Sequence, residues 1–464
     1  MEDKFVLEET LIGDKEYDAQ EQSTRTASVS SWSFTGNSLQ GSGILVLPMS
    51  ISKFGYVAGC MFLLLFAILS AVTCYLLSQI YYYTGSTTYA GMGKELFGKS
   101  AESIINFIQV LYGLGALFSY TIVAADESHY VMEHFIRHDP SSWIRTFMLD
   151  RSSLLIVISI IFILPPALLP RMDHLRFTSF VSIGAITYLI MAVVIVLAAT
   201  YGACSLADTA TYICSSIHQC VIEQDPMKFV YDNLTTCMEM CEHCPVVESS
   251  HHFKAFTFTA GAFFSLPFFC FSSTCQVQFV PILAEMKEPT KKNVITVLNW
   301  SFITIAIIYV LAGTTGYYSF CGYITNNVLD SFPVEDISIM ICRVAIVISM
   351  CFSIPLFSHP LRFMILDLIG VKEKKYWMIA LITIMIVVVD TIVAIIAKNL
   401  GTVLGITGAI GSSTIMMILP SIMFFQYLRK TQSKRITLDI LSILIFIMGL
   451  TFGTLGTIAT IQQS

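Results

Sequence analysis

Two short stretches of this chain combine residue types that apolar helices avoid. Residues 35 to 48 read Thr-Gly-Asn-Ser-Leu-Gln-Gly-Ser-Gly-Ile-Leu-Val-Leu-Pro, with Gly36, Gly41 and Gly43 ahead of Pro48. Residues 263 to 276 place Pro267 before a polar run, Ser272-Ser273-Thr274-Cys275-Gln276. Glycine and proline weaken a helix. A helix opened in this way turns N–H groups and a positive end toward an anion, and freed carbonyls toward a cation. A zwitterion offers both charges. Two plainer accounts stand beside this one: glycines at this spacing let membrane helices pack closely, and Ser272, Ser273 and Thr274 can bond back to the carbonyls four residues earlier.

Both stretches lie in segments that must be membrane helices. Of the 464 residues, 55% are hydrophobic and only 12% charged, about half the charge of a soluble domain. Mean hydropathy is +0.72. The apolar residues gather into blocks near 34–55, 59–82, 103–126, 153–169, 177–199, 257–283, 294–318, 338–361, 376–397, 402–427 and 436–460. Each block is close to the roughly 20 residues a helix needs to cross the hydrocarbon, and lipid satisfies no backbone hydrogen bond outside a helix or closed barrel. The expectation is an all-α membrane protein of eleven spans. The two interrupted spans are then the first and the sixth, each opening a set of five, as an inverted five-plus-five repeat requires.

Most of the 26 Lys and Arg fall in segments that are cytosolic if the N-terminus is inside. The other loops hold only Lys53, Arg137, Arg145, Arg151, Lys228, Lys254 and Lys398. The C-terminus is then expected outside. Residues 1–33 carry eight Asp and Glu against Lys4, Lys15 and Arg25, and read as a disordered acidic cytosolic tail without a cleaved signal peptide. Residues 34–464 form the membrane domain. Within it, residues 200–255 make a loop outside, holding Cys204, Cys214, Cys220, Cys237, Cys241 and Cys244 and the glycosylation sequon at Asn233. Disulfides are the expected use of these cysteines; a zinc site with His243, His251 and His252 is the alternative.

The interrupted spans also carry a resemblance. Gly36-Asn-Ser-Leu-Gln-Gly-Ser-Gly-Ile-Leu-Val-Leu-Pro48 resembles the first-helix motif of the amino acid/auxin permease superfamily, and within it of the sodium-coupled neutral amino acid transporters of system A and system N type. Pro267 to Pro281 with Cys275, Glu285 to Pro289, Arg343 to Arg362 with Ser353-Ile-Pro355 and His359-Pro360, and Gly405 to Ser412 with Leu419-Pro420 are similar to further family segments in the same order.

That resemblance implies a leucine-transporter-like fold of eleven helices, with substrate between spans 1, 3, 6, 8 and 10. Ser42, Gly43 and Ile44, beside Gly41, would offer N–H groups to a substrate carboxylate. Phe271, Ser272 and Ser273, beside Thr274, would offer carbonyls to its ammonium and shape the side-chain pocket. A sodium ion would sit at Asn37 and Ser353, with Ser349 one turn away; oxygen ligands suit such a hard cation. Gln276 and Gln278 depart from the family's His and Glu, and Asp390 replaces a residue commonly Asn, which makes it a candidate proton site.

The implied activity is symport of small neutral amino acids by alternating access, driven by Na+. Proton-coupled vesicular or lysosomal transport and amino acid sensing without flux are the alternatives. The implied partners are the amino acid and the bilayer, with no nucleic acid and no cofactor beyond Na+ or H+. The plasma membrane is the expected location and an endolysosomal or vesicular membrane the alternative. No Walker motif, catalytic triad or metalloprotease motif occurs, against an ATP-driven pump or an enzyme. Asp126 and Glu127 are expected at a solvated helix end, Arg343 to snorkel, and His359 and Arg362 to lie in water.

Overall fold

A computed structural model describes residues 42–136, 147, 149–169, 184–185, 187–192, 255–257, 260–286, 289–320, 324–332, 337–371, 375–397, 399–432 and 436–463. Asn37, Gly41, Asn233 and all six loop cysteines, with the acidic tail, lie outside the described residues. Among those described, the regular structure is helical throughout.

Among the described residues, eight helices are long and apolar enough to span a membrane: Tyr56–Thr84 (span 2), Lys99–Ile136 (span 3), Ala262–Glu285 (span 6), Lys291–Tyr318 (span 7), Ile337–Ile369 (span 8), Tyr376–Ile396 (span 9), Leu400–Lys430 (span 10) and Ile436–Gln462 (span 11). Two shorter apolar helices, Gly43–Phe54 (span 1) and Arg151–Ala167 (span 4), fall where the first and fourth blocks were expected. Residues 187–192 are helical within the fifth block. The count of eleven rests on the sequence blocks, because parts of the first and fifth lie outside the described residues.

Burial separates core from periphery. In the most apolar window, 67% of span 3 and 72% of span 6 is buried, against 28% of span 9 and 17% of span 11. The exposed apolar side chains of spans 9 and 11, such as Leu381, Val388, Ile440 and Ile447, suit lipid. Spans 3 and 8 pack along their length, and span 1 lies against spans 2, 6 and 7.

Close approach there depends on small residues: a Cβ added at Gly316 of span 7 would meet the Pro48 ring at 2.6 Å, and one at Gly313 would meet Ile51 at 2.4 Å. Span 2 ends at Gly85, whose φ of 65° lets its N–H reach the Tyr81 carbonyl.

Among the described residues, three spans depart from α geometry. Span 6 is a 3₁₀ turn over Ala260–Ser265, an α-helix over Leu266–Ser273, a break at Thr274 and Cys275, and a second α-helix over Gln276–Glu285. Span 10 widens into π turns at Thr407–Ser412 and Thr414–Ile418, and span 4 does so at Ser159–Ile163. Such π segments commonly mark functional positions. The break in span 6 follows its polar run; nothing in the apolar pattern of span 10 announced the π turns.

Candidate functional site

Span 1 and the break in span 6 meet. The described helix of span 1 starts at Gly43, with Ser42 fully buried before it. The Leu45 N–H donates to the Ser42 carbonyl at 3.2 Å. The N–H groups of Gly43 and Ile44 precede the first acceptor inside the helix, as at any helix start. The Ser42 hydroxyl lies 2.7 Å from that of Ser119 on span 3. A Cβ added at Gly43 would sit 2.4 Å from Ser272 Oγ and 3.1 Å from Ser272 Cα. Glycine is required here because two helices touch, as the packing account anticipates, and the contact falls one residue from Ser273, the last of the first half of span 6.

At the break, Thr274 is extended, with ψ 110°, and Cys275 adopts φ −131° and ψ 4°. The Thr274 N–H donates to the Phe271 carbonyl at 3.2 Å. The Ser272 carbonyl accepts from the Tyr309 hydroxyl at 3.0 Å, and the Ser273 carbonyl from the Ser70 hydroxyl at 2.6 Å. Each carbonyl therefore has one protein donor and a second lone pair. The Ser272 hydroxyl donates to the Phe268 carbonyl at 2.8 Å and Thr274 to that of Cys270 at 2.7 Å, the local bonding that hydroxyl residues in membrane helices favour.

Gln276 anchors this break. Its Oε1 accepts the Cys275 N–H at 3.0 Å, while Nε2 donates to Ser70 Oγ at 3.0 Å and Thr73 Oγ1 at 2.9 Å on span 2. The sequence marks Gln276 only as a departure from a family pattern; its partners are 203 and 206 positions away in the chain and have no local signal.

Spans 3 and 10 close the site. Cβ atoms added at Gly408, Gly115 and Gly411 would reach the Pro267 carbonyl oxygen at 2.2 Å, Thr407 Oγ1 at 2.2 Å and the Tyr112 side chain at 3.2 Å. The Tyr112 and Phe271 ring centroids are 6.0 Å apart. On span 8, Ser349 and Ser353 are buried, and the Ser353 hydroxyl donates to the Ser349 carbonyl at 2.8 Å. Asn37, their expected partner, is outside the described residues.

Four charged residues expected in water are buried or paired. Span 3 continues ten residues past Asp126, to Ile136. Glu127 is fully buried and pairs with Arg343 of span 8 at 2.8 Å. Asn327 donates to Glu127 Oε1 at 2.6 Å, and Arg343 donates to the Leu329 carbonyl at 2.7 Å and stacks 4.4 Å above the Tyr130 ring. Arg343 therefore does not snorkel: the 324–332 segment folds over both charges and supplies their remaining partners.

Asp126 pairs with Arg151 of span 4 at 2.5 Å. Arg362 is likewise fully buried. It donates to the carbonyls of Ala167 and Leu169 at 2.8 and 2.9 Å, groups left open where span 4 ends after Pro165-Pro166. His359 is half-buried, its ring 5.2 Å from Phe363.

Near the Glu127–Arg343 pair, a cavity of about 260 Å³ is lined by Asp126, Thr325, Asn326, Asn327, Asp330, Asn399 and Leu400. Asn399 also caps span 10 by accepting from the Gly401 and Thr402 N–H groups. Asp390, 1% exposed, lies six residues before the end of span 9 and accepts from the Thr121 hydroxyl of span 3 at 2.6 Å.

The architecture has relatives among solved structures. Over 93% of this chain and 98% of the other, it superposes on MhsT in complex with L-phenylalanine with a TM-score of 0.54 at 10% identity. Over 94% and 90%, it superposes on Mhp1, a nucleobase-cation-symport-1 family transporter, with a TM-score of 0.50 at 10% identity. The fold is thus leucine-transporter-like. In sequence, the chain is 24% identical to sodium-coupled neutral amino acid symporter 2 of Danio rerio, over 99% of its own length and 87% of that protein. Residues 24–462 match the model of the transmembrane amino acid transporter protein family. With the match running through nearly the whole membrane domain and the relatives being transporters rather than enzymes, the chain belongs to the transmembrane amino acid transporter protein family.

Proposed function

We propose that this protein is a sodium-coupled symporter of small neutral amino acids in the plasma membrane. The carrying observation is the contact of the helix start at Ser42, Gly43 and Ile44 with the broken helix at Ser272. The N–H groups of Ser42, Gly43 and Ile44, beside Gly41, bind the substrate carboxylate. The spare lone pairs of the Phe271, Ser272 and Ser273 carbonyls, beside Thr274, receive its ammonium.

The site is closed by Tyr112, Phe271 and the π turn of span 10. Backbone dipoles suit this task because they supply both signs without a titratable side chain. Small side chains are favoured because glycine contacts between spans 1, 3, 6 and 10 leave little room.

Sodium binds at Asn37, Ser349 and Ser353. Ser353 uses its hydroxyl proton on the Ser349 carbonyl, leaving oxygen lone pairs for a cation. One cation moving through the membrane field gains roughly 2.3 kcal/mol per 100 mV, enough for about fifty-fold accumulation of a neutral solute. The N-terminus is cytosolic, and the 200–255 loop is outside, with Asn233 glycosylated and its cysteines in disulfides.

The test is uptake of a labelled neutral amino acid mixture into proteoliposomes under an inward sodium gradient, for the natural protein, Asn37→Ala and Ser353→Ala. Uptake that survives replacement of sodium by choline, or is unaltered in both variants, refutes sodium coupling at this site. Absence of uptake with saturable binding makes the protein a sensor.

A further inference from the structure

Asp390 has one hydrogen-bond partner, the Thr121 hydroxyl, and its Oδ1 has none. A buried carboxylate held by a single neutral donor is costly, whereas the neutral acid is not. The 2.6 Å line to Thr121 also serves the neutral acid, with Oδ2–H donating to the threonine oxygen. One helical turn along span 9, Arg151 donates through Nη1 to the Ala394 carbonyl at 2.9 Å, and its Nε pairs with Asp126. The Nη2 of this arginine is buried without a partner. Span 9 thus carries an unpartnered carboxyl oxygen at Asp390 and, bonded to its backbone one turn later, an arginine with an unpartnered nitrogen, while Asp126 lines the 260 Å³ cavity.

We infer that Asp390 is a proton-binding site, reached from this cavity through Asp126, and that Arg151 is the positioning residue that turns from Asp126 toward Asp390 when the proton leaves. The step balances: the proton leaves Asp390 as its carboxylate gains a guanidinium partner, passes to Asp126 as that residue loses the guanidinium, and is released from Asp126 to water in the cavity.

The elements packed against span 9 carry Lys99, Glu102, Tyr112, Tyr120, Asp126, Glu127, His129, Tyr130, Glu133 and His134 (span 3), Arg151 (span 4), and Cys342, Arg343, Cys351, His359, Arg362 and Asp367 (span 8). Of the cations, Arg343 is committed to Glu127 and Arg362 to the Ala167 and Leu169 carbonyls. Arg343 Nε, Arg362 Nε and His129 Nδ1 are also buried without a partner, and Arg362 reaches span 9 at Thr383; Arg151 is singled out because it bonds the span 9 backbone at Ala394, one turn from Asp390, and holds Asp126 of the cavity. The inference deepens the transport reading by naming a proton as second ion, but its first test is independent of flux.

That test is infrared spectroscopy of the purified full-length protein in lipid across a pH series, following the carbonyl stretch of a protonated carboxylic acid. The expected result is a band at neutral pH that Asp390→Asn removes while the protein stays folded. In Arg151→Gln the same band persists to higher pH, by about 1 unit or more, because the carboxylate has lost its cation. In proteoliposomes, uptake by the natural protein falls as pH rises through the band's midpoint, and Asp390→Asn flattens that profile. No acid band at neutral pH, a band indifferent to Asp390→Asn, or a midpoint unmoved by Arg151→Gln overturns the inference. Loss of all uptake with the band intact overturns the transport reading and leaves the proton site standing.

Discussion

Replacing Arg343 by methionine puts the energetics of the Glu127–Arg343 pair to a direct test. The two side chains are 0% and 1% exposed and meet at 2.8 Å. Without the guanidinium, Glu127 keeps one donor, Asn327, and the Leu329 carbonyl loses its charged donor and keeps only the Phe332 N–H. Stranding a buried charge in this way costs about 3–5 kcal/mol, and the extra lost bond to a charged donor places the effect toward the upper end.

The double variant Glu127→Gln with Arg343→Met removes both charges, and the amide can still meet Asn327. Its cost is expected to fall below that of Arg343→Met alone, with a coupling energy of about 2 kcal/mol or more. Equilibrium unfolding in mixed micelles, followed by tryptophan fluorescence, measures the four corners of this cycle. Costs that add within about 0.5 kcal/mol, or an Arg343→Met protein as stable as the natural one, refute the claim that these charges are desolvated and mutually dependent.

Gly43→Ala drives a methyl group into Ser272, and overpacking of about 1–3 kcal/mol translates to roughly 5- to 150-fold slower uptake; adding Ser272→Ala removes the 2.4 Å contact but not those at 3.1 Å, so rescue is partial. Gln276→Leu deletes two hydrogen bonds to span 2 and loosens the break by about 1–3 kcal/mol, read as faster labelling of Cys275 by a membrane-permeant thiol reagent and slower uptake. Asp150 caps span 4, and its hydrogen bonds from Ser153 hold its carboxyl below the ordinary value. A depressed value in the folded state stabilises above the unfolded one and is lost as pH falls through the folded value. Protection of the Ser153 amide, measured against its intrinsic exchange rate at each pH, should therefore fall below about pH 4, and protection unchanged there would show that the cap is not formed.

Some of this was legible in the residues themselves. Apolar blocks of membrane length fix helices because lipid offers the backbone no partner, and the polar run at Ser272 to Gln276 marks the place where span 6 opens. The motif from Gly36 to Pro48 carried the family. Charge partners were not legible: Glu127 and Arg343 are 216 positions apart, and a carboxylate at a helix end reads as solvated unless the 324–332 segment is known to fold over it. The fates of Gln276, Arg362 and Asp390 follow the same rule. Sequence determined which segments enter the membrane and where one of them must break, since backbone hydrogen bonding is a local demand. Only the tertiary structure decided which polar side chains are satisfied and which are left open, since their partners come from other helices.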